Sequence, residues 1–173
     1  MSTTNNIFAG SIDSIAWVRC EGKGNFLNSL KIKHWVESEV DSGMKRVVVD
    51  LGQCTGMDST FMGTLAGIAM RLVKIDGGKL EVAFANSKNA QSLEDLGLDC
   101  LMSLNPENPD WNGNEDKARE CMTPLVDKSL DTSREHIYDA HKTLCDADDS
   151  NNEKFATVLD CLEQELLSED NSF

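Results

Sequence analysis

The sequence predicts an α/β fold, in which a mixed β-sheet packs against helices, followed by an α-helical extension. Val47, Val48 and Val49 form a continuous β-branched run, which is typical of a strand covered on both faces. A strongly amphipathic helix follows this strand, and strands and helices alternate up to residue 104, which implies parallel pairing with right-handed crossovers. After residue 104 only helical periodicity is present, and we therefore divide the chain there.

The helix that follows the valine strand is the most clearly delimited element of the chain. Its apolar residues recur at spacings of three and four: Phe61, Leu65, Ile68, Leu72 and Ile75. Gly77 and Gly78 supply a stop that tolerates positive φ. Asp58 and Ser59 stand where a side-chain oxygen caps the first turn, with Thr60 as the alternative cap.

The other predicted elements of the first part complete a mixed sheet. In chain order they are a hairpin of strands 7–10 and 14–20, a turn at 21–24, a helix at 28–40, the valine strand at 46–51 with a loop ending at Met57, a strand at 79–85, a helix at 87–96 and a short strand at 98–104. Glu21–Gly24 lacks the spacing of a phosphate-binding loop, so we interpret its glycines as a sharp turn.

The second part of the chain is acidic but well patterned. Residues 1–104 hold 10 Lys and Arg against 12 Asp and Glu, whereas residues 105–173 hold 6 against 18. A linker at Asn105–Asn114 carries two of the three prolines, and three amphipathic helices are predicted at about 115–130, 133–145 and 152–167. We expect these helices, residues 115–173 overall, to pack together or onto the sheet, unless part of them serves a partner.

Composition excludes several classes of function. The net charge of −14 and the absence of a basic stripe argue against nucleic acid as a direct partner. No apolar run approaches the roughly 20 residues of a membrane span, and no signal peptide is evident. The six cysteines show no CxxC pair, and we interpret them as reduced thiols of a cytoplasmic protein. We also expect no membrane partner, no cofactor and no metal.

Ser59 has two interpretations that the residues alone leave open. It is either a capping serine, contributing about 1 kcal/mol to the helix, or a switch residue. In the second interpretation its hydroxyl is exposed at a helix N-terminus, where free amides and the positive end of the dipole tolerate a phosphate. Asp58 would repel that phosphate, so the fold should change little while the surrounding surface changes strongly.

The same stretch resembles the signature of STAS domains, the anti-sigma factor antagonist family. The resemblance covers about residues 5–104 and rests on the strand VVVDL, the loop ending at Met57, Asp58-Ser59-Thr60, Gly63 and Leu65. It implies a STAS domain at 1–104, a linker at 105–114 and a helical extension at 115–173. The chain departs from many family members at Phe61, where they have glycine.

The resemblance also implies a function. It is that of a non-enzymatic, phosphorylation-switched binding module whose partners are a GHKL-type serine kinase that is also an anti-sigma factor and a PP2C-type phosphatase. Ser59 matches the phosphorylated position, and the neighbouring partner contacts would be Asp58, Thr60, Phe61, Met62, Gly24 and Asn25. Gly24 and Asn25 have an equally plausible structural role in the turn. The alternative is a STAS-type scaffold that is never phosphorylated.

Other site chemistries fit the residues less well. Asp50 at the end of a buried strand gives a faint likeness to a receiver domain, but the acidic pair and the lysine that such a domain needs are absent from its other strands. His141 and Cys145 form an isolated i, i+4 pair that is too small for a metal site. Ser59 has no general base evident beside it in sequence and no GxSxG elbow.

Overall fold

The computed structural model describes residues 5–126 and 134–170 of the chain. Its strands are β1 Asn6–Ile12, β2 Ile15–Gly24, β3 Arg46–Met57, β4 Lys79–Ala83, β5 Ser103–Leu104 and β6 Thr123–Pro124. Its helices are α1 Phe26–Asp41, α2 Ser59–Val73, α3 Ser87–Asp95, α4 Glu115–Cys121, α5 Arg134–Ala147 and α6 Ser150–Asp170, and a short 3₁₀ turn covers Leu98–Cys100. No helix in these two ranges is long and apolar enough to cross a membrane.

A six-stranded mixed sheet in the order β5-β4-β3-β2-β1-β6 forms the centre of the fold. The sequence predicted the mixed sheet, but neither β6 nor the strand order. β2, β3, β4 and β5 pair in parallel, while β1 is antiparallel to both β2 and β6. Val47 and Val49 belong to a large apolar core on one face, and Val48 belongs to a smaller core on the other. The valine run is therefore a strand covered on both faces.

β2 and β3 extend further than the sequence indicated. Residues Glu21–Gly24, predicted as a turn, continue β2, and the predicted loop before Met57 continues β3, with Gly24 paired to Met57. Two register shifts interrupt this pairing, one after Arg19 and one after Gly22. Such bulges let glycine-rich backbone stay in a sheet, which an alternating apolar pattern does not reveal.

The first predicted helix of the extension is shorter than expected. α4 ends at Cys121, and Thr123 and Pro124 form β6 against Phe8 and Ala9. Pro124 explains the end, because proline lacks the helical N–H and disfavours helical backbone in the preceding residue. Residues 127–133, which include the predicted end of this helix and the predicted start of the next at Ser133, lie outside the described ranges.

Segment 105–114 and α4 cover the second face of the sheet. Trp111 is buried there, edge-on to Trp17 with ring centroids 5.4 Å apart, and Asp110 forms a bidentate ion pair with Arg46. The segment predicted as a linker thus contributes a core residue, Trp111. The division of the chain into a domain and an extension stays a prediction.

α5 and α6 form a helical hairpin, in which α5 packs on α2 on the side of the sheet that carries the large core. Arg134, the first residue of α5, pairs with Glu165 in the second half of α6, which shows that the two helices run antiparallel. Leu144 is fully buried in the main core, and the Asn151 side chain donates to the carbonyls of Leu96 and Leu144. The apolar face predicted for α5 is therefore partly buried against residues 5–104.

Candidate functional site

Asp58 joins the N-termini of two helices at the carboxyl end of β3. It is the N-cap of α2, where Oδ1 accepts from the Phe61 N–H at 2.8 Å, and its Oδ2 accepts from the Phe26 N–H at 2.9 Å. A carboxylate at a helix N-terminus is stabilised by the free amides and by the dipole. Asp58, not Ser59, is the capping residue, so the capping interpretation of Ser59 is wrong.

Gly24 and Asn25 lie directly beside this carboxylate. The Asp58 N–H donates to the Gly24 carbonyl at 2.9 Å, and Asn25 caps α1 in a capping box with Asn28. A Cβ on Gly24 would lie 2.9 Å from the ring of Phe61, so only glycine fits there. Both residues thus shape the site.

The Ser59 hydroxyl is hydrogen-bonded to a residue of the extension. Ser59 Oγ lies 2.8 Å from His141 Nε2, and His141 Nδ1 lies 2.7 Å from the Ile137 carbonyl. A carbonyl can only accept, so Nδ1 carries the hydrogen, and the Nε2 of a neutral ring accepts from Ser59. The sequence predicted an exposed hydroxyl, but Ser59 is only half exposed, and His141 is buried beside Phe155 of α6.

α5 approaches α2 as closely as backbone allows. A Cβ built on Gly63 would lie 2.3 Å from the Ala140 carbonyl oxygen, a distance that real side chains do not reach. One turn further along the same face, a Cβ on Gly67 would lie 3.8 Å from Thr143 Cγ2, an ordinary contact. The face of α2 that begins at Ser59 is therefore in backbone contact with α5 at Gly63.

His136 anchors the start of α5 between α1 and α2. Its Nε2 lies 2.9 Å from Ser29 Oγ and 3.5 Å from Thr64 Oγ1, in a site where little solvent reaches the ring. Burial lowers the pKa of His136 to about 4, with nearby Lys33 acting in the same direction and Asp139 opposing it. The ring is therefore neutral at physiological pH.

The remaining predicted contact residues present little surface in this arrangement. Thr60, Phe61 and Met62 are all buried, and Phe61 is fully inside the core beneath Gly24. Asn25 and Asp58, like Ser59, are half exposed. The structure brings the predicted residues together in one place, but their role as partner contacts stays a prediction.

Asp50 and Cys54 lie near the site without entering it. Asp50, the acceptor in the receiver alternative, is buried and bound by the Gly52 N–H and by Arg119 of α4. The Cys20 thiol holds the pKa of Cys54 down to about 7, while burial acts in the opposite direction. All six cysteines are free thiols.

Sequence reasoning missed the contribution of His141 to the site. The signal available was a small-residue face on α2, since Ser59, Gly63 and Gly67 recur every four residues and leave room for another helix. The apolar periodicity of α5 predicts that one of its faces is buried, but not the surface on which that face packs.

Comparison with known proteins identifies the fold. The family model described as STAS domain matches residues 7–109. The solved structure of TM1081 from Thermotoga maritima is 19% identical, with a TM-score of 0.53 over 64% of this chain and 92% of that one.

Two further solved structures are similar over a comparable range. SpoIIAA, an anti-sigma factor antagonist in its unphosphorylated form, is 12% identical, with a TM-score of 0.51 over 65% of this chain and 97% of that one. An anti-sigma factor antagonist from Mycobacterium paratuberculosis is 18% identical, with a TM-score of 0.50 over 68% and 95%. No curated protein sequence matches the chain.

Proposed function

Because the chain belongs to the STAS domain family, we propose that it is a phosphorylation-switched protein-binding module with Ser59 as the phosphoacceptor. Its partners would be a GHKL-type serine kinase acting as an anti-sigma factor and a PP2C-type phosphatase, in the cytoplasm. The chain itself would be a substrate and not an enzyme, because ATP and Mg²⁺ would belong to the kinase.

The observation that carries this proposal is the position of Ser59 directly after the Asp58 cap, at the point where the N-termini of α1 and α2 converge. The dipole of α2 would stabilise a phosphate there by about 0.3 to 1 kcal/mol. Asp58 would repel it. A phosphate at Ser59 therefore places a poorly compensated charge on the surface that a partner would have to cover.

The scaffold alternative has its own supporting observation. In this structure the Ser59 hydroxyl already donates to His141 of α5 and is half-buried. A serine that only ties α5 to α2 would show the same geometry and would never be modified. The two functions differ in whether phosphate is found on Ser59.

Mapping the phosphorylated residue decides between the phosphorylation switch and the scaffold. The full chain is incubated with ATP and extract of its native cells, and phosphate is located by mass spectrometry of its peptides. We expect phosphate on Ser59, its loss in Ser59→Ala, and its retention in the control Thr60→Ala. No phosphate on the chain, or phosphate that Ser59→Ala leaves unchanged, would favour the scaffold.

A further inference from the structure

The α5–α6 hairpin lies on the proposed phosphoacceptor site. Ser59, Gly63 and Gly67 line one face of α2, and His141, Ala140 and Thr143 of α5 lie along it in the same order. We infer that this hairpin is the resident occupant of the Ser59 face, and that its docking and a phosphate on Ser59 exclude each other. This inference rests on the proposed function, since it concerns the regulation of the same hydroxyl.

The geometry leaves no room for both. Ser59 Oγ and His141 Nε2 are 2.8 Å apart, so the only atom between them is the shared hydrogen. α5 and α2 are already in backbone contact one turn away, where a Cβ on Gly63 would lie 2.3 Å from the Ala140 carbonyl oxygen, so room for a phosphoryl group can come only from moving α5 away from α2. Leu144 and the Ser29–His136 hydrogen bond hold the next turns of α5 in place. A phosphoryl group on Oγ therefore requires α5 to leave.

Charge acts in the same direction as the steric clash. Residues 134–170 carry 3 Lys and Arg against 11 Asp and Glu. A phosphate adds about −1.5 to −2 charges at neutral pH, so the acidic hairpin and the phosphate repel each other. An acidic partner surface would meet the same repulsion, which means that phosphate would disfavour either occupant of this face.

The coupling between phosphorylation of Ser59 and docking of the hairpin is reciprocal. If a phosphate on Ser59 weakens docking of the hairpin by some factor, docking disfavours phosphorylation by the same factor at equilibrium. A kinase active site must also reach the hydroxyl, so it can act only while the hairpin is open. The hairpin thus gates the switch.

A matched pair of glycine variants in the full chain tests this. Gly63→Ala places a methyl group against the Ala140 carbonyl, while Gly67→Ala places the same group beside a cavity of about 120 Å³ that Gly67 and Thr143 line. Both changes favour the helix itself to a similar extent, because alanine has a higher helix propensity than glycine. Their difference therefore reports on the contact with α5.

The first measurement is amide hydrogen exchange followed by mass spectrometry. We expect exchange in α5 and α6 to rise at least tenfold in Gly63→Ala and in Ser59→Glu, and to stay at the wild-type rate in Gly67→Ala, with the sheet protected in all four proteins. Wild-type protection of α5 in Ser59→Glu or in Gly63→Ala would overturn the inference. Loss of protection in the sheet of Gly63→Ala would mean unfolding, and Ser59→Glu alone would then decide.

The second measurement separates this inference from the proposed function. With native-cell extract and ATP, we expect phosphate to enter Gly63→Ala at least tenfold faster than wild type and Gly67→Ala. Equal rates in all three would overturn the gate and leave the phosphoacceptor intact. No phosphate in any of them would overturn the proposed function, and hydrogen exchange would still decide whether a negative charge at Ser59 opens the hairpin.

Discussion

Replacement of Asp58 by alanine should destabilise the protein by more than the loss of one ordinary helix cap. One carboxylate oxygen caps α2 through Phe61 N–H, and the other accepts from Phe26 N–H at the start of α1. The cap is worth about 1 kcal/mol, the second, exposed hydrogen bond about 0.5 to 1 kcal/mol, and the charge at a second helix N-terminus about 0.3 to 1 kcal/mol. We expect a total of about 2 to 3 kcal/mol.

Equilibrium urea unfolding of the full chain measures this loss, and the chain supplies a matched control. Asn86 caps α3 through a single bond to the Asn89 N–H at 2.8 Å, so Asn86→Ala should cost only about 1 kcal/mol. Asp58→Asn keeps an acceptor but loses the charge, and it should fall between the two. If Asp58→Ala costs no more than Asn86→Ala, the carboxylate does not stabilise both helices and the reasoning is refuted.

Two further predictions concern α5 and the extension. Because burial lowers the pKa of His136 to about 4, the unfolded chain takes up the proton first as the pH falls, and stability that is complete above about pH 6.5 should fall by about 3 kcal/mol towards pH 4. In urea unfolding at both pH values, His136→Gln should lose less stability than wild type, and the exposed control His34→Gln should lose as much as wild type. Equal losses in all three proteins would contradict this. Removal of all residues after Asn114 should expose the apolar surface now covered by Leu144 and its neighbours. The urea midpoint should then fall, and light scattering should detect aggregation. A truncated chain as stable and monodisperse as the full one would show instead that the extension is an independent module.

The elements that the sequence predicted best are those whose local signals agree with their packing. Val47–Val49 are β-branched and apolar without interruption, and they are buried between two cores. The apolar spacing of α2 places Phe61, Leu65 and Leu72 in the core. Where propensity, periodicity and burial agree in this way, a sequence pattern is sufficient.

The structure differs from the sequence predictions where an element depends on long-range contacts. Glu21–Gly24 has turn-like composition, but pairing with β3 keeps it extended. The apolar stripe of α5 predicted a buried face but not the surface on which it packs, and the small-residue face of α2 indicates room for a helix but not which one, so the sequence did not assign α5 to Ser59. For the same reason, the sequence-based expectation that a phosphate would leave the fold nearly unchanged applies to the sheet and α2 but not, on our inference, to the α5–α6 hairpin.

The affinity of the full chain for its kinase, before and after phosphorylation of Ser59, tests the central proposal most directly. At about 6 Å and an effective dielectric near 20, each unit of phosphate charge interacts with an acidic group at roughly 3 kcal/mol, less where water enters. Since 1.4 kcal/mol is a factor of about ten, we predict that titration calorimetry finds binding weakened on the order of a hundredfold, while Ser59→Ala binds as the unphosphorylated chain does. Equal affinity of the two forms would contradict the account.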